Sequence, residues 1–229
     1  MALEQLINDV LDANRSLPVH GLVKLTSGNV SGVDRERGVM VIKPSGVAYD
    51  RMTAADMVVV AFDGTVVAGE RRPSTDTPTH LALYRRFDDI GGIVHTHSTW
   101  ATAWAQAARP IPLLGTTHAD LCAYPIPVTR PLTEEDIAAD YEASTGAALI
   151  EAIGEHDALH VPCVLVRGHA PFGWGRTPAK AVETAVMLEA VAELALLTAL
   201  IDDEAAPLAP AIRQKHFARK HGAHAYYGQ

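Results

Sequence analysis

The chain has 229 residues, 48% of them hydrophobic and 20% charged, an ordinary balance for one globular unit with a real core. Its formal net charge is −8 with histidine neutral, which speaks against general nucleic-acid binding, because that needs a basic field facing phosphates. Two cysteines, Cys122 and Cys163, with no CxxC pair argue against a disulfide framework and a thiolate zinc site, and they suit a reducing, cytoplasmic setting.

The elements can be read in chain order. Leu3, Leu6, Ile7, Val10 and Leu11 mark one face of an opening helix that Pro18 and Gly21 end. Early acidic residues and the lack of a basic, then apolar, leader speak against a signal peptide. "LVKLTSGNVSGVD" and "GVMVIKP" read as strands joined by the charged turn "DRERG". "MVVVAFDGTVVAG" reads as a hairpin, since Asp63-Gly64 supplies the positive φ of a tight turn. A turn-rich "RRPSTDTPTH" leads into a helix near "HLALYRRF". "GGIVHTH" reads as a short buried strand and "STWATAWAQAA" as a helix. "LTEEDIAADYEASTGAALIEAI" is helical with Thr133 as its cap. "VPCVLVRGH" is another buried strand, and Thr177-Pro178 opens a long Ala/Leu helix. That helix is the most apolar stretch, but Glu189 and Glu193 interrupt it, so no membrane span is expected. Hairpin-linked strands among helices predict an α/β fold: one domain over 1–229, with a central, mostly antiparallel sheet flanked by helices on both faces.

Chemistry enters at "GGIVHTHSTW". Alternate strand residues share a face, so His95 and His97 present two imidazoles side by side. A divalent metal is one reason to hold them so, and a pair of hydrogen-bonded strand-end histidines is the plain alternative. His169, in the Gly-rich turn after the strand "VPCVLVRGH", is placed to be a third ligand, and Asp76 in "PSTDTPTH" is free to coordinate or to act as a base. Three neutral histidines with an open position describe a catalytic metal rather than a closed structural one. The HxHxDH of β-lactamase-type hydrolases is absent, as is the glutamate that cupins place shortly after HxH. "SGN", "KPSG" and "PST" are short polar turns of the kind that expose backbone N–H groups to a phosphate, although each alone is only a turn.

Taken together, "TSGNVSGVDRERGVMVIKPSGV", "PSTDTPTH", "GGIVHTHS", "GTTHAD", "GHAPFGWG" and "KHGAHAYYGQ" resemble the class II sugar-phosphate aldolase/epimerase family, its pentose-phosphate epimerase branch above all. The likeness runs from end to end. It implies metal ligands at His95, His97 and His169, with Asp76 in the metal site. An aspartate there favours the epimerases over the aldolases, which tend to carry a glutamate. It also implies substrate and phosphate contacts at Gly28, Asn29, Lys43, Ser45, Gly46, Ser74 and Thr75. Asp120 and Tyr227 fall on a catalytic acid/base pair, and Thr116, Glu142 and His216 line or support the site. Ser27 stands where the family has a bulkier residue, and Thr75 where serine is common.

The resemblance further implies a homotetramer with active sites between subunits, its C-terminal tail, residues 208–229, reaching the interface. It implies Zn2+, with Mn2+ or Co2+ able to substitute, and a small phosphorylated sugar as substrate, with no nucleic-acid or membrane partner. The implied reaction is interconversion of L-ribulose 5-phosphate and D-xylulose 5-phosphate by cleavage and re-formation of the C3–C4 bond. Two alternatives remain: an aldolase acting on another phosphorylated ketose such as L-fuculose 1-phosphate, and a non-catalytic interaction domain like the adducin head.

Overall fold

The computed structural model describes residues 2–227. Along the chain come α1 (Leu3–Val19), β1 (Asn29–Asp34), β2 (Val39–Ile42), a 3-10 turn (Ala54–Asp56), β3 (Val58–Ala61), β4 (Val66–Ala68), α2 (Thr77–Arg86) and β5 (Gly92–His95). There follow α3 (Thr99–Gln106), α4 (Thr116–Leu121), α5 (Glu134–Ile153), β6 (Cys163–Leu165), β7 (Pro171–Gly175), α6 (Pro178–Ile201) and α7 (Pro210–His221). The strands form one sheet in the order β4-β3-β2-β1-β5-β7-β6, and every neighbouring pair is antiparallel.

Helices cover both faces of this sheet, so its central strands are buried on both sides. Val30, Val39, Val41, Val59 and Val94 turn to one face and pack with Leu6, Val10 and Leu17 of α1 and Ala181, Val182 and Ala185 of α6. Met40, Ile42, Val58, Val60, Ile93, Phe172 and Trp174 turn to the other, against Leu81, Leu83 and Tyr84 of α2 and Leu149 and Ile153 of α5. This strict alternation is the period-two geometry of a strand. A third cluster joins α3, α6 and the segment around Ile111 and Ile126 to β6. Asn14 of α1 pins the sheet by bonding both the N–H and the C=O of Val30 at 2.8 and 2.9 Å.

Several sequence expectations change here. The strand expected over 22–34 begins only at Asn29. Before it, Ser27 N–H bonds Lys24 O, and Leu25 and Gly28 take positive φ, so 24–28 is a turn. "PFGWG", expected as turn, is strand β7, hydrogen-bonded on both sides; Pro171 fits because it is the strand's first residue. The long helix α5 is broken at Asp140, whose backbone is extended and whose side chain accepts from Ala143 N–H at 2.9 Å, capping the second half. Residues 210–221 form α7, packed on α4; Gly228 and Gln229, the end of the expected tail, lie outside the described residues.

By length and composition alone, α6 is apolar enough to cross a membrane, contrary to expectation. Its first half nevertheless lies against β1, β5 and β7 as a core helix. Towards its end Leu194, Leu197, Leu200 and Ile201 are exposed.

Candidate metal centre and active site

The sheet register places the first histidine. His95 ends β5 and pairs across the sheet with Asn29 of β1 on one side and Phe172 of β7 on the other. Directly opposed residues share a face, so the His95 ring stacks on that of Phe172, 4.2 Å between centroids. His95 Nδ1 lies 2.9 Å from the Pro171 carbonyl and donates to it, which leaves Nε2 as a lone-pair nitrogen. His97 lies two residues on, beyond the strand's end, and is exposed. His169 sits in the β6–β7 hairpin, where Gly168 takes positive φ and Val166 and Ala170 close the turn.

The three rings converge. Their ligand atoms all lie within 4.8 Å of one another, and His95 Nε2 and His169 Nε2 are 3.2 Å apart. Burial and the neighbouring imidazoles push His169 down to about 4, and the partial desolvation of the His97 ring, with the His95 imidazole beside it, lowers His97 although the residue reaches solvent. The rings of His97 and His169 are therefore neutral at physiological pH. Three ring nitrogens this close together, His95 Nε2 an acceptor among them and His97 at the open rim, fit a divalent cation of nitrogen preference.

Asp76 stands outside that group of three but next to it. It occupies the N-cap position of α2 without a side-chain capping bond, and its Oδ2 accepts from Asn29 Nδ2 at 2.6 Å. Burial disfavours its charge, but the His95 and His80 imidazoles and the Asn29 amide outweigh this and hold the carboxyl below its ordinary value. Asn29, the cross-strand neighbour of His95, thus ties Asp76 to the histidine cluster, and it also reaches Ser74 Oγ at 3.0 Å.

The three polar turns come together beside this point. Pro44 and Pro73 form an isolated antiparallel bridge, with Ser45 N–H bonded to Arg72 O and Ser74 N–H to Lys43 O. That bridge sets Ser45 and Gly46 next to Ser74 and Thr75. Gly28 adopts φ +81, and a Cβ there would stand 2.9 Å from His95 O, so only glycine lets the turn lie this close to the strand. Lys43 is buried, its Nζ near Thr26 O and Pro44 O and 5.0 Å above the Tyr49 ring. Burial lowers its pKa, and Asp76 opposes that. Tyr49, which carries no motif, holds the first turn: its hydroxyl lies 2.8 Å from both Ser27 O and Gly28 O.

Asp120 and Tyr227 belong to a second cluster. Asp120, on α4, accepts two bonds from Arg219, at 3.0 and 2.6 Å, and lies 3.1 Å from His216 Nδ1. Burial works against its charge, but Arg219 and His216 prevail and hold the carboxyl low. The Arg219 guanidinium lies 4.1 Å over the Tyr227 ring. A cavity of about 420 Å3 lined by Asp120, His221 and Tyr227 includes none of the three histidines. Thr116 opens α4, and the Glu142 carbonyl accepts from Thr79 Oγ1 at 2.6 Å.

Sequence patterns missed three residues here. Tyr141 follows the Asp140 break and lies edge-on to His169, 6.4 Å between centroids. Arg219 was one basic residue among several in the C-terminal segment, and His80 sat within a helix with no motif beyond its own turn.

A seven-stranded antiparallel sheet with helices on both faces and a three-histidine cluster at the end of its central strand β5 defines a class of proteins, and the comparisons name it. The chain belongs to the class II aldolase and adducin N-terminal domain family, whose model matches residues 8–196. L-ribulose-5-phosphate 4-epimerase UlaF of Salmonella paratyphi B is 54% identical over 227 residues, which is 99% of this chain and 100% of that protein. The protein of the same name from Salmonella typhi matches to the same extent. Among solved structures, an L-fuculose 1-phosphate aldolase superposes with a TM-score of 0.82 at 26% identity, covering 96% of this chain and 97% of that one. YgbL from Klebsiella pneumoniae, a putative aldolase/epimerase/decarboxylase, gives 0.72 at 23% identity over 94% and 99%.

Proposed function

We infer that this protein is a metal-dependent enzyme that interconverts L-ribulose 5-phosphate and D-xylulose 5-phosphate. The observation that carries this reading is the full-length, 54% identity to proteins named as L-ribulose-5-phosphate 4-epimerases. The convergent histidines support it and weigh against an adducin-like domain without chemistry.

Carbon 4 of the substrate has no acidic proton, so inversion by simple deprotonation there is difficult. Breaking the C3–C4 bond avoids the problem. The C4 hydroxyl loses its proton and the C3–C4 electron pair passes to the C2 carbonyl, giving the enediolate of dihydroxyacetone and glycolaldehyde phosphate. The aldehyde turns over, the bond re-forms on its other face, and the new C4 alkoxide takes a proton. No oxidant or reductant is needed.

His95, His97 and His169 would hold the metal, zinc by the chemistry of the donor set, and bound there it would supply Lewis acidity to the substrate. Asn29 fixes the Asp76 carboxylate at the edge of that centre. Gly28, Ser45, Gly46, Ser74 and Thr75, with Lys43 behind them, offer backbone N–H, hydroxyl and cationic groups to the phosphate that must stay bound while the aldehyde turns. Asp120 and Tyr227 act on opposite faces of the aldehyde, one removing the hydroxyl proton and the other returning it. Their cavity holds none of the histidines, so the reading completes each site with groups from another copy of the chain, in a homotetramer. The exposed end of α6 gives such an assembly apolar surface to cover. Free, buried Cys122 and Cys163 suit the cytoplasm.

The test is an epimerisation assay with metal-loaded protein and a chelated control. Metal-dependent formation of D-xylulose 5-phosphate without accumulating glycolaldehyde phosphate supports the reading. Accumulated fragments would make the protein an aldolase instead.

A further inference from the structure

A polar seam runs between β1 and α2 inside an otherwise apolar face. Asn29 and Ser31 point to the same side of β1, and Asp76, His80 and Tyr84 follow one another four residues apart along α2 and its cap. Asn29 Nδ2 meets Asp76 at 2.6 Å, and Ser31 Oγ meets both His80 Nδ1 at 2.7 Å and Tyr84 Oη at 2.8 Å. The His80 ring is fully buried and lies edge-on to Phe172, which in turn stacks on His95.

Two atoms of this seam are buried without any protein partner: His80 Nε2 and Asn29 Oδ1. Buried polar atoms are rarely left so, and both belong to residues that act on Asp76. The tautomer of His80 follows from its surroundings. If Nδ1 carried the proton, Nε2 would hold a bare lone pair in the field of the Asp76 carboxylate. If Nε2 carries it, the field is favourable, and Tyr84 Oη–H can donate to Ser31 Oγ while Ser31 Oγ–H donates to Nδ1. Ser31 Oγ then gives its one proton and receives one, and Tyr84 gives its own.

We propose that His80 is a positioning residue for Asp76, donating from Nε2–H through one buried water that it shares with Asn29 Oδ1 and the carboxylate. Such a water accepts one bond and donates two, the usual complement for an internal water. Asp76 is then held on one side by the Asn29 amide and on the other by the Tyr84–Ser31–His80 series, which fixes its carboxylate beside the histidine centre. The proposal rests on the reading above for the part Asp76 plays in the reaction.

Two measurements test it. In protein labelled with 15N-histidine, long-range 1H–15N spectra report the tautomer of each ring, with or without metal. An Nε2–H tautomer at His80 is expected, and an Nδ1–H tautomer overturns the proposal. Kinetics separate the two ring nitrogens: His80→Asn keeps a polar atom near Ser31 but nothing at Nε2, whereas His80→Gln carries an amide to the Nε2 position. His80→Asn should lower kcat about tenfold or more with little change in KM, and His80→Gln should recover most of it. Equal kcat in the two variants overturns the proposal, whether both are low or both high. A wild-type protein without epimerase activity would count against the functional reading instead, and the tautomer would then decide this one.

Discussion

The Nε2 atoms of His95 and His169 face each other at 3.2 Å, with their rings 14° from parallel. His95 has already given its Nδ1 proton to the Pro171 carbonyl, so this contact pairs two nitrogens, at least one of them a bare acceptor. A divalent cation would take both nitrogens as ligands in place of a bond from one ring to the other. His169→Ala should therefore leave the fold intact, because the ring is only partly buried, in a hairpin turn outside the sheet core, and yet abolish stoichiometric metal binding. Turnover should fall by about 10³-fold or more, as expected when a Lewis acid is lost. Metal content by atomic absorption, beside circular dichroism of the same sample, checks both halves. A variant that retains one metal per chain refutes the assignment.

Asp120 and Tyr227 are joined through Arg219, which bonds the one and covers the other. Asp120→Asn keeps an acceptor for Arg219 but cannot take a proton, and Tyr227→Phe keeps the ring under the guanidinium but has no proton to give. Each should lower kcat by about 10²- to 10⁴-fold, the range of a general acid or base, with thermal stability little changed. Wild-type turnover in both would remove them from the mechanism. Arg219→Met is expected to act through Asp120, by releasing its carboxylate and raising its pKa, since the guanidinium holds it low.

What could be read from the sequence follows a physical line. The ends of α5 and α6 were legible because Thr133 and Thr177 cap them with bonds to residues three positions on. His95, His97 and His169 were legible because their pattern is local, two in period-two spacing and one in a turn after a buried strand. Strand β7 was hidden by its proline and glycines, which read as turn; only its pairing with β5 and β6 makes it a strand. Tyr141 was hidden by a helical pattern that runs straight across Asp140, while the chain breaks there and redirects the tyrosine toward His169. His80 and Arg219 have meaning only through partners 49 and 99 residues away.

Two fully or nearly fully buried histidines add to the acid limit on stability that His169 also sets in the metal-free protein. Burial pushes His80 down to about 3 and His118 to about 4, while in the unfolded chain each takes its proton near the ordinary value of 6.5. Between these values the unfolded state binds more protons than the folded one, so stability rises with pH and is lost as pH falls. The loss should begin near pH 6.5 and continue toward pH 4, at up to about 1.4 kcal/mol per pH unit for each proton. Urea unfolding of the metal-free protein at pH 7, 6 and 5 measures this slope. His118→Gln should flatten it by up to one proton, and an unchanged slope would show that His118 is charged in the folded state.

Gly28 joins stability to the site. A Cβ added at its φ of +81 would stand 2.8 Å from Val23 Cγ1 and 2.9 Å from His95 O. The first contact is with the end of a side chain and can yield. The second is with the backbone of His95 inside the sheet and cannot yield without moving that residue. Gly28→Ala should cost about 1–3 kcal/mol from the left-handed backbone and the crowding. Because the strain falls on the strand that carries His95, metal affinity should fall as well. Gly46, by contrast, has a similar φ of +71 with nothing within 4 Å of an added Cβ. Gly46→Ala should show the backbone cost alone, with metal affinity unchanged. Denaturant unfolding and metal titration of the two variants separate these outcomes. Equal metal affinity in both would mean that the turn yields to the added methyl and leaves His95 in place.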